Sequence, residues 1–564
     1  MASATVCEDF RVSLELRPGR GTGKSLHDTD GHLAELHYDE ANWKPSHNPW
    51  LVALTVTMAT FMEVLDTSIA NVALPHMAGT LGASQEEATW VLTSYLVSSA
   101  VILPISGWLM ARMGRKRFYM TCVMLFTGCS MLCGFAGSLP LLVFFRVLQG
   151  IGGGGLAPSE QAILADTFPV SKRGQAFAVY GMAVVVAPAI GPTLGGWITD
   201  NFNWHWIFFI NLPVGLLSLF LTQRMVEDPP YLKEEQRVSG RVDFMGLGLI
   251  SVGVGCLEFV LDKGQEKDWF GDPNITAFAI VAACALLVFV WWEWRHDDPI
   301  VDIRLLQNRN FGTAVFLQFV LGMVLFGTTV LIPQFLQVLL GYTAERAGMV
   351  LSPGALVLMC TMPIAGRIVS SNKLDPRLLV AIGYGITAAG LFNLTRLDLN
   401  ISFGQITWWR AYQVMGLSFV FIPISTLNYL GVPRNKNNQI SSFSNFARNI
   451  GGSVGTALLT TFLERTRQTH ISNLGAHAVS GSLRYSRFVD VTREALERLG
   501  QSADAAKQFA IGDAWQTLNR QAQMLSYENA FWGLSLIIAC LIPLPFIMRR
   551  PPRRLPAPEE MAGH

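Results

Sequence analysis

The chain has 564 residues, of which 51% are hydrophobic and only 15% charged, against about 25% charged residues in an ordinary soluble chain. With a mean hydropathy of +0.35, this excludes the string of soluble domains that the length alone would allow and leaves a polytopic membrane protein. Lys and Arg total 42 and Asp and Glu 41, so the net charge does not predict a nucleic-acid partner.

Residues 1–48 are polar and mixed in charge, without an apolar run, and read as a disordered cytoplasmic tail rather than a secretory leader. Within them PGRGTGKS ends like a phosphate loop. Pro18 stands where its first glycine belongs, and no strand run precedes it, so nucleotide binding is not expected.

Apolar runs then fall near 50–74, 88–110, 118–137, 139–164, 174–199, 205–224, 242–262, 275–294, 311–335, 345–368, 376–395, 404–430, 441–464 and 528–548. About 20 apolar residues cross a bilayer as a helix, so these are fourteen candidate spans. Barrel strands would be half as long and would alternate. The expected fold is therefore all-α and integral to the membrane.

Basic residues set the orientation. They follow the even-numbered spans: Arg112, Arg115, Lys116 and Arg117; Lys172 and Arg173; Arg224, Lys233, Arg237 and Arg241; Arg295, Arg304 and Arg309; Arg367, Lys373 and Arg377; Arg434 and Lys436; Arg549, Arg550, Arg553 and Arg554. Both termini are then expected in the cytoplasm. Trp50, Trp204, Trp206, Trp269, Trp408 and Trp409 fall near span ends, where interface anchors belong. One outer loop is long. Within 465–527, the stretch from Arg487 to Met524 has helical spacing and mixed charge and reads as an amphipathic hairpin, either a solvated linker or a docking surface for a partner. Seven of the eight cysteines lie in apolar runs and no CxxC pair occurs, so they read as small core residues.

Two strings recur. LPISGWL (Leu103 to Leu109) returns as MPIAGRI (Met362 to Ile368), and RVLQ (Arg146 to Gln149) as RAYQ (Arg410 to Gln413). The offsets are 259 and 264. Spans 1–6 (49–225) and 9–14 (311–548, with the outer loop 465–527) are then two six-helix bundles. Spans 7 and 8 (242–294) are an insert between them, and 549–564 is a basic cytoplasmic tail. Duplicated bundles around a midplane site are the architecture of alternating-access transporters.

The candidate chemistry lies in the spans. Glu63 and Asp66 are three apart on span 1 and share a helix face. Carboxylates inside a membrane are costly and usually face a cavity or a partner, and one that sheds its charge by taking a proton suits a reversible proton site. The alternative is a structural pair hydrogen-bonded to neighbours such as Thr67 or Asn71. Arg146, about two turns inside span 4, needs carboxylate or carbonyl partners. It is either a modulator of a proton-binding carboxylate or a fixed clamp, with Gln149 on its face and Arg410 as its counterpart in the repeat. Glu160 and Glu258 are weaker candidates, expected near an interface. APAIGPTLGG in span 5 combines Gly191, Gly195 and Gly196, which let backbones approach, with Pro188 and Pro192, which bend the helix. The run Gly152–Gly155 invites the same reading. No metal-ligand spacing or nucleophile triad stands out, so a membrane-embedded enzyme or sensor has little to stand on.

These motifs resemble those of the major facilitator superfamily, specifically the 14-span drug:proton antiporters of the EmrB/QacA type. LDTSIANVALP (Leu65 to Pro75) is similar to that family's span 1 signature, GWLMARMGRKR (Gly107 to Arg117) to its loop motif, RVLQGIGGG to its span 4 motif, and APAIGPTLGG to its antiporter motif. WIFFINLPVG and LDKGQEKDWF look EmrB-like. The resemblance implies proton-driven export of amphipathic compounds across a bacterial inner membrane, without a cofactor. Asp66 would be the coupling carboxylate, with Glu63 beside it, and Arg146 the proton-relay arginine. Asn71, Gln149 and Arg410 would be polar support, and Gly107, Arg112, Gly114 and Arg115 the gating loop. EmrB-like members work with a periplasmic adaptor and an outer-membrane channel, a role the loop 465–527 fits. The loop motif departs from the family at Ala111, where an Asp usually founds the inward-closing salt bridge. A dedicated exporter of one metabolite, such as a siderophore or an organic acid, is the competing reading.

Overall fold

The structure is a computed structural model. It describes residues 45–550 apart from 170, 230–241, 297–298, 372, 431, 434–435 and 480–481. Residues 1–44 of the expected tail, including Pro18 to Ser25, lie outside the described residues. So do Lys233, Arg237, Arg241, Arg434, Arg553 and Arg554 among the basic positions.

A long helix stands at each of the fourteen expected places: α1 (Pro49–Leu81), α2 (Gln85–Met113), α3 (Arg115–Gly134), α4 (Leu139–Thr167), α5 (Arg173–Asn201), α6 (Trp206–Met225), α7 (Phe244–Lys263), α8 (Pro273–Arg295), α9 (Arg309–Val338), α10 (Ala344–Ser371), α11 (Pro376–Leu394), α12 (Phe403–Leu427), α13 (Asn437–Gly475) and α14 (Ala503–Leu541). The described residues contain no strand. Among the described residues, eleven helices are long and apolar enough to cross a membrane, or twelve if the bent pair in α5 is one span. The expected count of fourteen is not reached on apolarity. α12 and α13 fall short because their buried faces carry Arg410 and Gln413, and Asn437, Asn438, Ser441, Ser442, Ser444, Asn445 and Arg448.

Local chemistry explains where the helices start. The Asn48 side chain accepts from the Trp50 N–H at 3.0 Å with Pro49 in the first turn. Asp243, Asp272, Asn308, Asp375, Ser402 and Ser502 cap six further helices in the same way. Each satisfies a backbone donor that the first turn leaves unpaired. At Asp375 the Arg377 side chain also donates to the carboxylate, which holds its carboxyl below the usual range. Gly114, with φ of 88°, turns the chain from α2 directly into α3, a conformation that favours glycine.

The pairings repeat with an offset of eight helices. α1 packs on α5 as α9 does on α13, α2 on α4 as α10 on α12, and α3 on α4 and α6 as α11 on α12 and α14. The two sets meet where α2 packs on α13 and α5 on α10; exchanging the sets exchanges these contacts. The inserted pair α7 and α8 packs on itself and, through α7, on α2 and α13. α8 lies outermost: only 22% of its apolar window is buried, against 67% for α9.

The outer loop is helical, as its spacing predicts, but its boundaries differ. α13 and α14 run past their apolar segments, and a separate helix, Leu483–Arg498, packs on α14. His470 and Asn529 join α13 to α14 at 2.9 Å. Trp204 departs from its expected role as an interface anchor and is buried, stacked on His205 at 3.7 Å. Cys122, Cys129 and Cys133 are buried, while Cys284, Cys360 and Cys540 are exposed on the outside of the helices.

The α9–α13 contact is close enough to test. A Cβ at Gly451 would press on the Phe319 backbone, whereas one at Gly248 would meet nothing within 4 Å. Gly451→Ala is expected to destabilise the purified protein by about 1–3 kcal/mol through overpacking. Gly248→Ala should leave the thermal unfolding midpoint unchanged or slightly raised. Equal behaviour of the two variants would contradict this packing.

Candidate functional site

A cavity of about 390 Å³ lies between the two sets of helices. Glu63, Thr67, Ser68 and Asn71 line it from α1, Tyr95 and Ser99 from α2, Pro188 from α5, Arg410 from α12, and Asn445 and Arg448 from α13. Much of the remaining wall is aliphatic or aromatic, with Leu325, Phe326, Leu351, Leu358 and Val414 on the second set.

The two α1 carboxylates part company here. Glu63 faces the cavity and accepts a hydrogen bond from the Tyr95 hydroxyl at 3.0 Å. Asp66, expected to face the cavity as the coupling acid, does not line it. It is 2% exposed and lies against Arg146, whose Nη1 donates to Oδ2 at 2.6 Å, and Asn211, whose Nδ2 donates to Oδ1 at 2.6 Å. Arg146 also donates to Gln149 Oε1 at 2.9 Å and to the Val91 carbonyl at 3.0 Å, and sits 4.6 Å from the centre of the Tyr95 ring. The expected partnership of Arg146 with Gln149 and with an α1 carboxylate is present. Thr67, offered as a partner for the acids, instead donates to the Val64 carbonyl at 2.9 Å. Asn71 lies on the cavity wall and Gln149 behind it.

Close approach of backbones makes this geometry. In the α4 glycine run, Gly150 and Gly153 lie against Ser98 and Tyr95 of α2, and Gly152 and Gly155 against Phe126, Cys122 and Phe118 of α3. α4 is thereby wedged between two neighbours, which brings Tyr95 toward Glu63 and Arg146. In the span 5 motif, Gly191 and Gly195 pack on Ser68 and Ile69 of α1, and Pro192 lies 3.5 Å from the position a Cβ would take at Gly348 of α10. Gly196, expected to share this packing, faces open space. The expected bend is present: Arg173–Pro188 and Ile190–Asn201 meet at 42°.

The loop-motif residues lie at one end of the helices, where α2 and α3 meet α4 and α13. Gly107 approaches α13 so tightly that a Cβ would lie 2.9 Å from Ser442 Oγ and 3.0 Å from the Asn438 carbonyl. Beside it Ser106 and Ser442 share a hydrogen bond of 2.6 Å. Arg115, 1% exposed, pairs with Asp166 at the end of α4 and donates from Nε to Asn438 of α13. Asn437 donates to Asp166 at 2.7 Å. Ala111 supplies no carboxylate, so Asp166 and two α13 asparagines hold this end instead. Arg112 is exposed and lies over Trp108, 5.4 Å from the ring centre.

Glu160 and Glu258, expected near an interface, are buried between helices and accept from Thr57 and Ser453, each at 2.5 Å. Three residues escaped the sequence reading. Tyr95 and Asn211 carry no signal in a linear sequence, since they act only through folded neighbours. Arg448 carried the same signal as Arg146, an arginine within an apolar helix, and was overlooked. It donates to Tyr180 at 2.7 Å and Asn445 at 2.6 Å. Among the described residues, no group of three or more His, Cys, Asp or Glu is placed to hold a metal ion.

Comparison with known proteins places this geometry. The Major Facilitator Superfamily profile matches residues 56–456. The chain belongs to the major facilitator superfamily. It is 36% identical over 505 residues to the multidrug export protein EmrB of Escherichia coli strain K12, covering 88% of this chain and 96% of that protein. It is 40% identical over 429 residues to EmrB of Haemophilus influenzae, covering 76% and 83%, and 35% identical over 500 residues to the fatty acid resistance protein FarB of Neisseria gonorrhoeae, covering 89% and 96%. Within the superfamily it is an EmrB-like permease and a multi-pass membrane protein. The crystal structure of the human organic anion transporter MFSD10 superposes with a TM-score of 0.54 at 12% identity, covering 87% of this chain and 100% of that one. The proton:xylose symporter XylE superposes with 0.54 at 14% identity, covering 88% and 96%. At that identity the likeness shows the fold alone.

The enclosed Asp66–Arg146 pair yields a prediction. Removing one partner of a buried ion pair strands the other charge, at about 3–5 kcal/mol. Asp66→Asn should therefore lower the thermal unfolding midpoint of the purified protein, and adding Arg146→Gln should recover part of the loss. An Asp66→Asn protein as stable as wild type would show that the pair is not an enclosed clamp.

Proposed function

We propose that the chain is a proton-driven exporter of amphipathic drugs or toxic compounds across a bacterial inner membrane. In this reading it is the permease of a three-part system with a periplasmic adaptor and an outer-membrane channel. The names of the relatives support drug export, since the two EmrB proteins, similar over 88% and 76% of the chain, are called multidrug export proteins. The observation that carries the mechanism is Glu63, a carboxylate on the wall of a largely apolar cavity between two repeat-related sets of helices. An ionised carboxylate is expensive to close away from water. A proton removes the charge, so uptake and loss of that proton bias the equilibrium between arrangements open to opposite sides.

Glu63 exchanges the proton. Asp66 and Arg146 lie behind it as an ion pair, with Arg146 over the ring of the same Tyr95 whose hydroxyl binds Glu63, so movement of Tyr95 is felt on both sides. The end closed by Arg115, Asp166, Asn437 and Asn438 carries Arg112, Lys116 and Arg117 and is the cytoplasmic end by the excess of basic residues. Opening it breaks polar contacts that water replaces, while the α5 bend and its glycines let α5 move against α1 and α10. Both termini then lie in the cytoplasm, and the exposed Phe509 and Trp515 on the outer part of α14 face the adaptor.

Reconstitution into liposomes with an imposed pH gradient tests the reading. Glu63→Gln is expected to lose gradient-driven export by about tenfold or more, the range of a lost proton-transfer group, while substrate exchange without a gradient persists. Unchanged export by that variant would remove Glu63 from the mechanism. For the partner, photo-crosslinking amino acids at positions 509 and 515 should capture a co-expressed adaptor. Absence of any adduct would leave the hairpin a linker.

A further inference from the structure

We propose that the cavity selects amphipathic organic anions, with the anionic head held by Arg410 and Arg448 and the apolar body lying on the second set of helices. The proposal rests on the reading that this cavity is the transport site.

The repeat supplies the first argument. Arg146 and Arg410 occupy matching positions, and each donates from Nη1 to a glutamine three residues on, Gln149 at 2.9 Å and Gln413 at 2.5 Å. The same Nη1 reaches Asp66 in one set and the Thr328 hydroxyl, at 2.7 Å, in the other. The offset from Asp66 to Thr328 is 262, between those of the two recurring strings. Thr328 thus stands where the repeat would place an acid. Arg410 keeps the clamp of its counterpart and lacks its counter-charge; its other contact is Thr329, at 3.2 Å.

Arg448 supplies the second. Its partners are the Tyr180 hydroxyl and the Asn445 amide oxygen, both neutral, with the Phe421 ring centre 5.4 Å away. Among the described residues, no carboxylate forms an ion pair with Arg410 or Arg448. Both guanidiniums stay charged, and both line the cavity although Arg410 is only 5% exposed. Nε of Arg410, and Nε and Nη1 of Arg448, hold no hydrogen bond among the described residues. A guanidinium fork with unused donors fits a carboxylate or sulfonate.

The third argument is the sum of charge. The charged residues on the wall are Glu63, Arg410 and Arg448. The lining is therefore positive by one charge with Glu63 ionised and by two with it protonated. A permanent cation meets this excess unfavourably, and one bound anion cancels the smaller value. Leu325, Phe326, Leu351, Leu358 and Val414 beside the arginines provide the apolar contact.

This arrangement gives an order of events. A carrier arriving with Glu63 protonated binds the anion most tightly. Loss of that proton to the cytoplasm leaves a neutral loaded cavity and weakens the hold through like-charge repulsion, before the anion is discharged on the other side.

Three probes on one ring system separate charge from shape: 2-naphthoate, 2-naphthamide and (2-naphthyl)methylammonium. Their binding to the full chain in nanodiscs is measured by calorimetry without a gradient. Naphthoate is expected to bind about tenfold or more tighter than the amide, consistent with hydrogen bonds to a charged group, and the ammonium weakest. Arg410→Gln and Arg448→Gln should each bring naphthoate toward the amide without changing the amide, Arg410→Lys should restore part of the difference, and Glu63→Gln should tighten naphthoate. Equal binding of naphthoate and amide to the wild type, or equal loss of both in Arg410→Gln, overturns the proposal. Selective naphthoate binding without gradient-driven export would sink the export reading and leave this one standing. Gradient-driven export that favours the ammonium would do the reverse.

Discussion

A charge inside this bundle has to be answered by the protein, because lipid offers neither ions nor hydrogen bonds. The structure answers in two ways. Some charges are closed off in pairs: Asp66 with Arg146, and Arg115 with Asp166. Others are met only by neutral hydrogen-bonding groups, as Glu63 is by Tyr95, Arg410 by Thr328 and Thr329, and Arg448 by Tyr180 and Asn445. The two pairs lie outside the lining of the central cavity, and Glu63, Arg410 and Arg448 lie on it; Glu160 and Glu258, each met by one hydroxyl, are buried away from it. The charges on the cavity wall are the ones placed to meet a proton or a ligand.

Packing follows from the same constraint. Van der Waals contact between closely approaching helices does the work that hydrophobic burial does in water, and glycines set how close they come. The α4 run brings α2 and α3 against α4 on opposite sides, and so fixes Tyr95 between Glu63 and Arg146. Gly107 does the same between α2 and α13 at the basic end. There Arg115 pairs with Asp166 within the first set, while Ser106, Arg115 and Asp166 each bond to α13 of the second; the contacts to α13 are the ones a rocking motion has to break.

The architecture was legible because apolar runs and two recurring strings are local signals. Helix boundaries were less so. α13 and α14 continue past the apolar runs because a helix once formed extends into polar sequence of good propensity, and the run marks only its apolar portion. A long helix stands at each of the fourteen expected places, but α12 and α13 do not reach the apolarity of a span, because the face toward other helices is polar. The site was half legible. Spacing put Glu63 and Asp66 on one side of α1, yet three residues differ by about 60° around a helix. That is enough to turn one toward the cavity and the other toward α4, and nothing in the sequence says which. Ala111 correctly signalled a missing carboxylate, but Asp166, Asn437 and Asn438, drawn from distant helices, were invisible as its replacement. Gly196 was misplaced because motif membership does not reveal which face of α5 a glycine occupies.

The repeat also shows why symmetry of fold does not bring symmetry of charge. The helix pairings of the two sets match, and Arg146 with Gln149 is mirrored by Arg410 with Gln413. The mirror breaks at Asp66 against Thr328, and at Nε, which donates to the Val91 carbonyl in Arg146 and holds no hydrogen bond in Arg410 among the described residues. An acid there makes a closed pair that hides its arginine from the cavity; a hydroxyl satisfies a hydrogen bond and leaves the charge in place. A duplicated scaffold can therefore turn a structural clamp into a charged cavity wall by one change of side chain, keeping the glutamine that orients the guanidinium. In this chain the first set holds its arginine behind the wall with Asp66, and the second presents Arg410 on it.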